Sequence, residues 1–183
     1  MLLGSLACGF EPPARDDYEL YAALLSQVPD RKERLLIGQE TIGAPDSASL
    51  MSCPNVTADI KESLTSVLRA NIGLRRSPLT LEHQIPTERP YALLTTDQTD
   101  TWRRLRFQPH LPLDGRPADA PDPFPESHLI TLGDILYNGD RSVALVYSVD
   151  TCGSLCGTSG WHLFRRQRER WNSVPGLDCG AVH

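Results

Sequence analysis

The sequence predicts an α+β domain in which two to three helices pack on one face of an antiparallel β-sheet. Two segments in the first half carry apolar residues at helical spacing, whereas residues 128–174 alternate β-rich runs with turn residues. Separate helical and strand-rich halves are typical of this class. We expect a sheet of about four to six strands, of which the last three or four form a C-terminal antiparallel meander.

Length and composition limit the chain to one domain and exclude one class of partner. The 183 residues are enough for a single core with an extension, and the net charge is -5. A pI near 5.5 argues against a nucleic-acid-binding protein, whose surface would be basic. We assign residues 1–15 to a signal-peptide remnant and tether, and residues 16–183 to one α+β domain with a Pro-rich loop at 108–127.

Asp16 is predicted to cap the first helix, with Glu19 completing a capping box, and Pro29 ends the helix. Its apolar face is formed by residues at helical spacing. They are Tyr18, Tyr21, Leu24, Leu25 and Val28.

The second predicted helix opens between Pro54 and Thr57 and ends at Gly73, a residue favoured after the last helical turn. Its apolar stripe consists of Ile60, Leu64, Val67, Leu68 and Ile72. Residues 99–107 predict a short third helix that presents Trp102 to the core.

Short strands are predicted at 34–42, at 79–85 as an exposed edge, and at 91–94, because these runs combine apolar residues with alternation. Residues 108–127 contain six prolines. Proline lacks the N–H that helices and central strands require, so this stretch is expected to be a surface loop.

The C-terminal meander is the clearest prediction. Residues 129–137 and 143–149 are rich in Val, Ile, Leu and Tyr, which suit a pleated surface. Between them, Asn138 and Gly139 favour a tight hairpin turn with positive φ angles. A third strand through 161–164 is followed by a charged turn at 165–170.

The first eight residues look like the end of a bacterial lipoprotein signal peptide. Leu6 and Ala7 precede Cys8, as in the motif after which such a cysteine is lipidated, although Ser5 stands where leucine is usual. The pattern predicts export and a membrane tether through lipidated Cys8. The alternative is an ordinary apolar N-terminus.

Cysteine usage agrees with an exported protein. If Cys8 carries lipid, four of the five cysteines remain, and four cysteines allow three disulfide connectivities. We expect Cys152–Cys156 to close the corner after the second meander strand and Cys53–Cys179 to tie down the C-terminal tail. The competing interpretation is four reduced thiols in a cytosolic protein.

Recognisable catalytic motifs are absent from the sequence, which contains no Gly-x-Ser-x-Gly, no His-Glu-x-x-His and no phosphate-binding loop. Cys152, Cys156, His162 and Cys179 are chemically suitable for tetrahedral zinc, but a disulfide accounts better for the cysteines. We therefore predict no catalytic residues, no metal and no cofactor.

Two groups of polar residues leave an enzymatic alternative open. Asp134, Asp140 and Asp150 are expected near one edge of the meander, as an acidic or calcium-binding rim or as ordinary turn residues. His128 and His162 are expected to face each other across the strands, as ordinary histidines or as part of a small hydrolase-like site.

The C-terminal half resembles a poorly characterised group of bacterial exported proteins, often predicted lipoproteins. The resemblance rests on motifs within 120–182: Ala144-Leu-Val-Tyr147, Cys152-Gly-x-Leu-Cys156-Gly157 and the closing Trp171. It implies a periplasmic or membrane-anchored protein. The function expected is non-enzymatic binding or structural support, with an unknown envelope protein or a small ligand as partner. A hydrolase-like enzyme with a site near the 128–162 sheet edge is the alternative.

Overall fold

The computed structural model describes residues 14–28, 34–43, 50, 53, 56–72, 78–82, 84–107, 121–124, 126–153, 156–177 and 180–182. In chain order these residues form α1 (Arg15–Leu25), β1 (Leu35–Gly38), α2 (Ala58–Ala70), β2 (Tyr91–Leu94), α3 (Thr96–Phe107), β3 (Leu129–Tyr137), β4 (Val143–Thr151), β5 (Gly157–Gln167), β6 (Arg170–Ser173) and β7 (Gly180–Val182). The predicted α+β class is confirmed. Most of the predicted tether (residues 1–13) and most of the Pro-rich loop lie outside the described residues, and the last residue assigned to the tether, Arg15, is the first residue of α1.

The strands form one sheet in the order β2-β1-β3-β4-β5-β6, with β7 also paired to β5. The expected meander is present, because β3, β4, β5 and β6 pair antiparallel with their neighbours. The sheet as a whole is mixed, since β1 pairs in parallel with both β2 and β3. β3 is therefore the strand at which parallel pairing changes to antiparallel pairing.

The helices cover both faces of the sheet, which corrects the expectation of a single covered face. α1 packs with Ile37, Ile130 and Val146 in one core cluster. Leu36 and Leu145, which alternate with those residues along their strands, belong to two clusters that include side chains of α3 and α2. A buried strand such as Leu35-Leu36-Ile37 therefore contributes side chains to both layers, which requires cover on both sides.

The helix boundaries differ from the predictions in detail. The N-cap of α1 is Ala14, two residues before the predicted Asp16, and the first turn is closed by Asp17, whose carboxylate accepts a hydrogen bond from the Ala14 N–H at 2.8 Å. The predicted Asp16–Glu19 capping box is therefore wrong. α2 begins after Thr57, whose hydroxyl accepts from the Ile60 N–H. Ile72, placed on the apolar stripe by its spacing, lies beyond the helix and is 78% exposed.

In the region between α2 and α3, the predicted strand at 91–94 is confirmed as β2. The predicted edge strand at 79–85 is reduced to one isolated antiparallel bridge between Thr80 and Glu40. Leu81 and Ile85 are nevertheless buried in the α1 core, so their apolar pattern reports burial rather than strand pairing.

The β3–β4 and β5–β6 hairpin turns differ from the prediction in where the positive φ angles fall. At 138–142 the hairpin is present, but the positive φ falls on Arg141 (57°) and not on Asn138 or Gly139. Both residues of the Arg168-Glu169 turn have positive φ, 47° and 66°. This pattern matches the two-residue turn whose twist suits a hairpin. The β5–β6 connection therefore has the turn geometry that was predicted for β3–β4.

A β-bulge interrupts β3 at Gly133 and Asp134, where the pairing register with β4 shifts. A Cβ on Gly133 would lie 2.7 Å from the Tyr147 carbonyl oxygen, so only glycine fits there without a shift. The Asp134 carboxylate is buried and accepts a hydrogen bond from the Thr41 hydroxyl at 2.9 Å. Tyr21 donates its hydroxyl proton to the Gly133 carbonyl at 3.0 Å, which attaches α1 to the bulge.

Candidate functional site

A cavity of about 320 Å³ lies where the C-terminal end of α1 meets the sheet. The wall at the end of α1 is apolar apart from Gln27 and is formed by Leu24, Leu25 and Val28, with Ile130 and Leu177 nearby. The opposite wall carries polar side chains: Ser148, Asp150, Thr158 and His162. We call this space the α1–sheet cavity.

Strand alternation places the polar side chains on one face. Ser148 and Asp150 are two residues apart on β4, so both point to the face that α1 covers. Across the ladder, Asp150 is paired with Thr158 and Ser148 with Gly160. Because Gly160 has no side chain, the space above it remains open for the cavity.

Ser148 and His162 form one polar pair in the wall of the cavity. The Oγ of Ser148 lies 2.9 Å from the Nε2 of His162, which is hydrogen-bond distance. Burial lowers the pKa of His162 below its ordinary value of 6.5 because the charged imidazolium loses hydration there. The imidazole is therefore neutral at neutral pH and can exchange a hydrogen bond with a hydroxyl or with a ligand.

His128 and Asp150 form a second polar pair beside the first. The Nδ1 of His128 lies 2.8 Å from the Oδ1 of Asp150, and both side chains are about one quarter exposed. The contact fixes the carboxylate of Asp150 at the cavity wall.

The two predicted histidines are thus brought to one face, but they do not contact each other. Each is held by a different residue of β4, Ser148 for His162 and Asp150 for His128. A signal for this pairing is present in the sequence, because Ser148 and Asp150 interrupt an apolar strand at a spacing of two. It indicates a shared face but not which histidine lies opposite.

The predicted acidic rim is not formed. Asp134 is 1% exposed and lies inside the β3 bulge. Asp140 belongs to the β3–β4 turn, where its carboxylate accepts from the backbone and hydroxyl of Ser142. Asp150 is at the other end of β4. The three carboxylates therefore have separate surroundings, and the calcium-binding interpretation is wrong.

The predicted Cys152–Cys156 disulfide is present, with the two Cα atoms 5.4 Å apart. It closes the β4–β5 hairpin directly beyond the Thr151–Gly157 pair, next to the Asp150–Thr158 pair of the cavity. Sulfur atoms joined in this way are not thiolate ligands, so the zinc alternative is not supported. Cys53 is also disulfide-bonded, and it packs in the same cluster as Leu177. The predicted partner Cys179 and the predicted lipid-bearing Cys8 lie outside the described residues.

Among the described residues, no helix is long and apolar enough to span a membrane. Comparison with protein-family models, with curated protein sequences and with solved structures finds no match.

Proposed function

We propose that this is a bacterial envelope protein that binds a small ligand in the α1–sheet cavity without transforming it. The observation that carries the proposal is the division of the cavity into an apolar wall from α1 and a polar wall from β4 and β5. Small-molecule sites are typically concave and mostly apolar, with a few polar groups that fix the orientation of the ligand.

The walls define the chemistry of the ligand. An apolar body would contact Leu24, Leu25 and Val28, whereas a hydroxyl, carbonyl or amine at its other end would reach Ser148, Asp150 or His162. A cavity of about 320 Å³ is near the lower limit for drug-sized ligands. We therefore expect a compact amphipathic molecule rather than a polymer segment.

Three features support an envelope location. The Cys152–Cys156 disulfide is of the kind that persists in oxidising compartments. The residues before Cys8 resemble a lipoprotein cleavage site, and the C-terminal motifs resemble those of exported bacterial proteins. Non-reducing mass spectrometry of membrane fractions tests this part of the proposal. A lipidated Cys8 and oxidised cysteines would support it, and reduced thiols in a cytoplasmic pool would contradict it.

A second candidate function is hydrolysis, and one observation favours it. The hydroxyl of Ser148 contacts a neutral imidazole that is able to accept its proton, which is the pairing that activates a nucleophilic serine. Among the described residues, no partner hydrogen-bonds the Nδ1 of His162, the contact that orients the histidine of a catalytic triad. We therefore rank this activity below simple binding.

Ligand binding is tested with the oxidised protein and a panel of small amphipathic molecules. A ligand of the cavity should raise the melting temperature of the protein. Thr158→Tyr would fill the mouth of the cavity from an exposed position and should abolish this effect. Asn172→Tyr, exposed on β6, is the matched control and should not.

Two outcomes separate the candidates. Recovery of an unchanged ligand supports binding, whereas turnover of an ester or amide that is lost in Ser148→Ala supports hydrolysis. If no member of the panel raises the melting temperature of the wild-type protein more than that of Thr158→Tyr, the cavity is not a ligand site.

A further inference from the structure

A second cavity, of about 280 Å³, lies on the opposite face of the sheet at the carboxyl end of β1. Its lining includes Gly38 at the end of β1, Thr131 on β3, and Thr96, Thr99 and Arg103 on α3. In sheets with parallel strands, ligands commonly bind outside the carboxyl ends of those strands. This cavity is separate from the α1–sheet cavity and does not depend on its proposed function.

The N-terminus of α3 faces this cavity. The helix follows β2 after a single residue, Thr95, whose hydroxyl accepts a hydrogen bond from the Gln98 N–H while the Gln98 side chain accepts from the Thr95 N–H. α3 has twelve residues, so its first turn carries the positive end of a full helix dipole. That end favours a negative charge in the adjoining space.

Two mostly buried threonines in the cavity wall have hydroxyl groups with no hydrogen-bond partner among the described residues. Thr99 and Thr131 are each only 7% exposed, and neither hydroxyl contacts a protein donor or acceptor there. Thr41, which also lines the cavity, differs because its hydroxyl donates to Asp134 and accepts from the Leu79 N–H. Both threonines line the cavity, so their unused hydroxyls are available to hydrogen-bond a ligand that enters it.

Gly38 and two charged residues complete the site. A Cβ on Gly38 would lie 3.9 Å from the Thr131 hydroxyl, so the glycine leaves the space beside that hydroxyl open. Arg103 supplies a guanidinium group that is half exposed and 3.6 Å from Asp100, an exposed pair that another anion can replace. Glu40 on the other rim is exposed and opposes a negative ligand.

We propose that this cavity binds a compact oxyanion, either a phosphate or a carboxylate group. The two threonine hydroxyls and Arg103 would donate hydrogen bonds to its oxygens, and the N-terminus of α3 would stabilise its charge. The source of the anion is either a free inorganic ion or the acidic group of a small metabolite.

The test is a titration of isotope-labelled, oxidised protein with inorganic phosphate, sulfate and acetate, followed by NMR. We expect saturable shifts at Gly38, Thr99 and Thr131, with phosphate or sulfate favoured if the site fits a tetrahedral ion and acetate favoured if it fits a carboxylate. Each good hydrogen bond to a charged ligand contributes enough that its loss weakens binding about tenfold. Thr131→Val and Arg103→Gln should show that loss.

Matched variants separate a local effect from a general one. Thr101→Val removes an α3 hydroxyl that donates to the backbone oxygen of Asp97, and Arg104→Gln removes an exposed charge on the same helix that does not line the cavity. Both should leave the affinity unchanged. Glu40→Gln should tighten binding by about twofold to fivefold, because it removes a repulsive charge from the rim.

Several results would overturn the proposal. One is the absence of saturable shifts with all three anions up to about 10 mM, a concentration that detects even weak sites. Another is an affinity that is the same in Arg103→Gln as in Arg104→Gln. Weaker anion binding in Glu40→Gln would also contradict the proposal, because it would mean that the Glu40 carboxylate accepts a hydrogen bond from the ligand rather than repelling it.

Discussion

Gly133 is the position at which a single added methyl group should have the largest measurable effect on the sheet. In Gly133→Ala the new Cβ would lie 2.7 Å from the Tyr147 carbonyl oxygen and 2.9 Å from the Tyr147 Cβ. Ordinary contacts between such atoms are about 3.5–4.0 Å, so β3 and β4 must separate locally by more than about half an ångström. The atoms to be moved belong to the backbone of a paired strand, which cannot yield as a side chain does.

Overpacking of a well-packed interior costs about 1–3 kcal/mol. We place Gly133→Ala near 3 kcal/mol, at the upper end, because the clash also threatens the hydrogen bond from Tyr21 to the Gly133 carbonyl. For a domain of this size that loss lowers the melting temperature by about 6–12 °C. Urea unfolding monitored by tryptophan fluorescence, with melting by circular dichroism, measures both quantities.

Gly139→Ala is the matched control, because a Cβ at Gly139 would have no neighbour within 4 Å. Its free energy of unfolding should stay within about 0.5 kcal/mol of that of the wild-type protein. If Gly133→Ala behaved like Gly139→Ala, with the same denaturant dependence, the close approach of β3 and β4 at the bulge would be refuted. Failure of Gly133→Ala alone to accumulate as folded protein would agree with the reasoning.

Three further predictions concern other parts of the fold. Burial lowers the pKa of His162, so this histidine binds a proton more readily in the unfolded chain than in the folded protein. The contribution of the neutral imidazole to the free energy of unfolding is therefore present above about pH 6.5 and is lost as the pH falls through the folded-state pKa. Urea midpoints at about pH 7.5 and pH 5 should therefore differ less in His162→Gln than in the wild type, and equal differences would contradict the prediction. Replacing Arg168 and Glu169 by Asn and Gly should raise the free energy of unfolding by about 1 kcal/mol, because both positions have positive φ; no gain in the urea midpoint would argue against this turn geometry. Arg34→Met should lower the free energy of unfolding by about 2 kcal/mol, because it removes the guanidinium that lies 2.7 Å from the buried Glu126 carboxylate. The loss is smaller than for a fully buried pair because Arg34 is half exposed. If adding Glu126→Gln restores the free energy of unfolding, the unpaired charge of Glu126 is the cause.

The meander could be predicted from the sequence because its signals are local. Alternation along 143–149 and the short connections around it determine neighbouring antiparallel pairs without reference to distant residues. The corner at Cys152 and Cys156 is equally local, and its disulfide was predicted correctly. The turn type at Asn138 was not, because the hydrogen bonds of Asn138 and Asp140 with Ser142 and Val143 select a longer loop.

The parallel half of the sheet was harder to predict because β1 and β2 have only four residues each. A short apolar run does not specify the direction of its partner. The burial of all four residues of β1 does require cover on both faces, and Leu35-Leu36-Ile37 carries that signal in the sequence. The prediction of helices on one face was wrong because it did not take this apolar run into account.

The candidate cavities depend on distances that no local pattern contains. Ser148 and Asp150 could be placed on one face from their spacing, but the α1–sheet cavity exists because α1 ends at Leu25, short of the strand ends. The second cavity likewise requires α3 to lie beside the carboxyl end of β1, because Thr96, Thr99 and Arg103 of α3 line it together with Gly38. The position of a helix relative to the strand ends is set by tertiary packing. The sequence could therefore indicate candidate residues but not the cavities that they line.

The change from parallel to antiparallel pairing at β3 has a consequence for the order of folding. β3, β4, β5 and β6 are consecutive in the chain and can associate by closing short loops. β1 reaches β3 only after a much longer segment has been closed, which is entropically slower. We therefore expect the meander to form first and β1 with β2 to dock onto its edge afterwards. Substitutions in β4 should slow refolding, whereas substitutions in β2 should mainly accelerate unfolding.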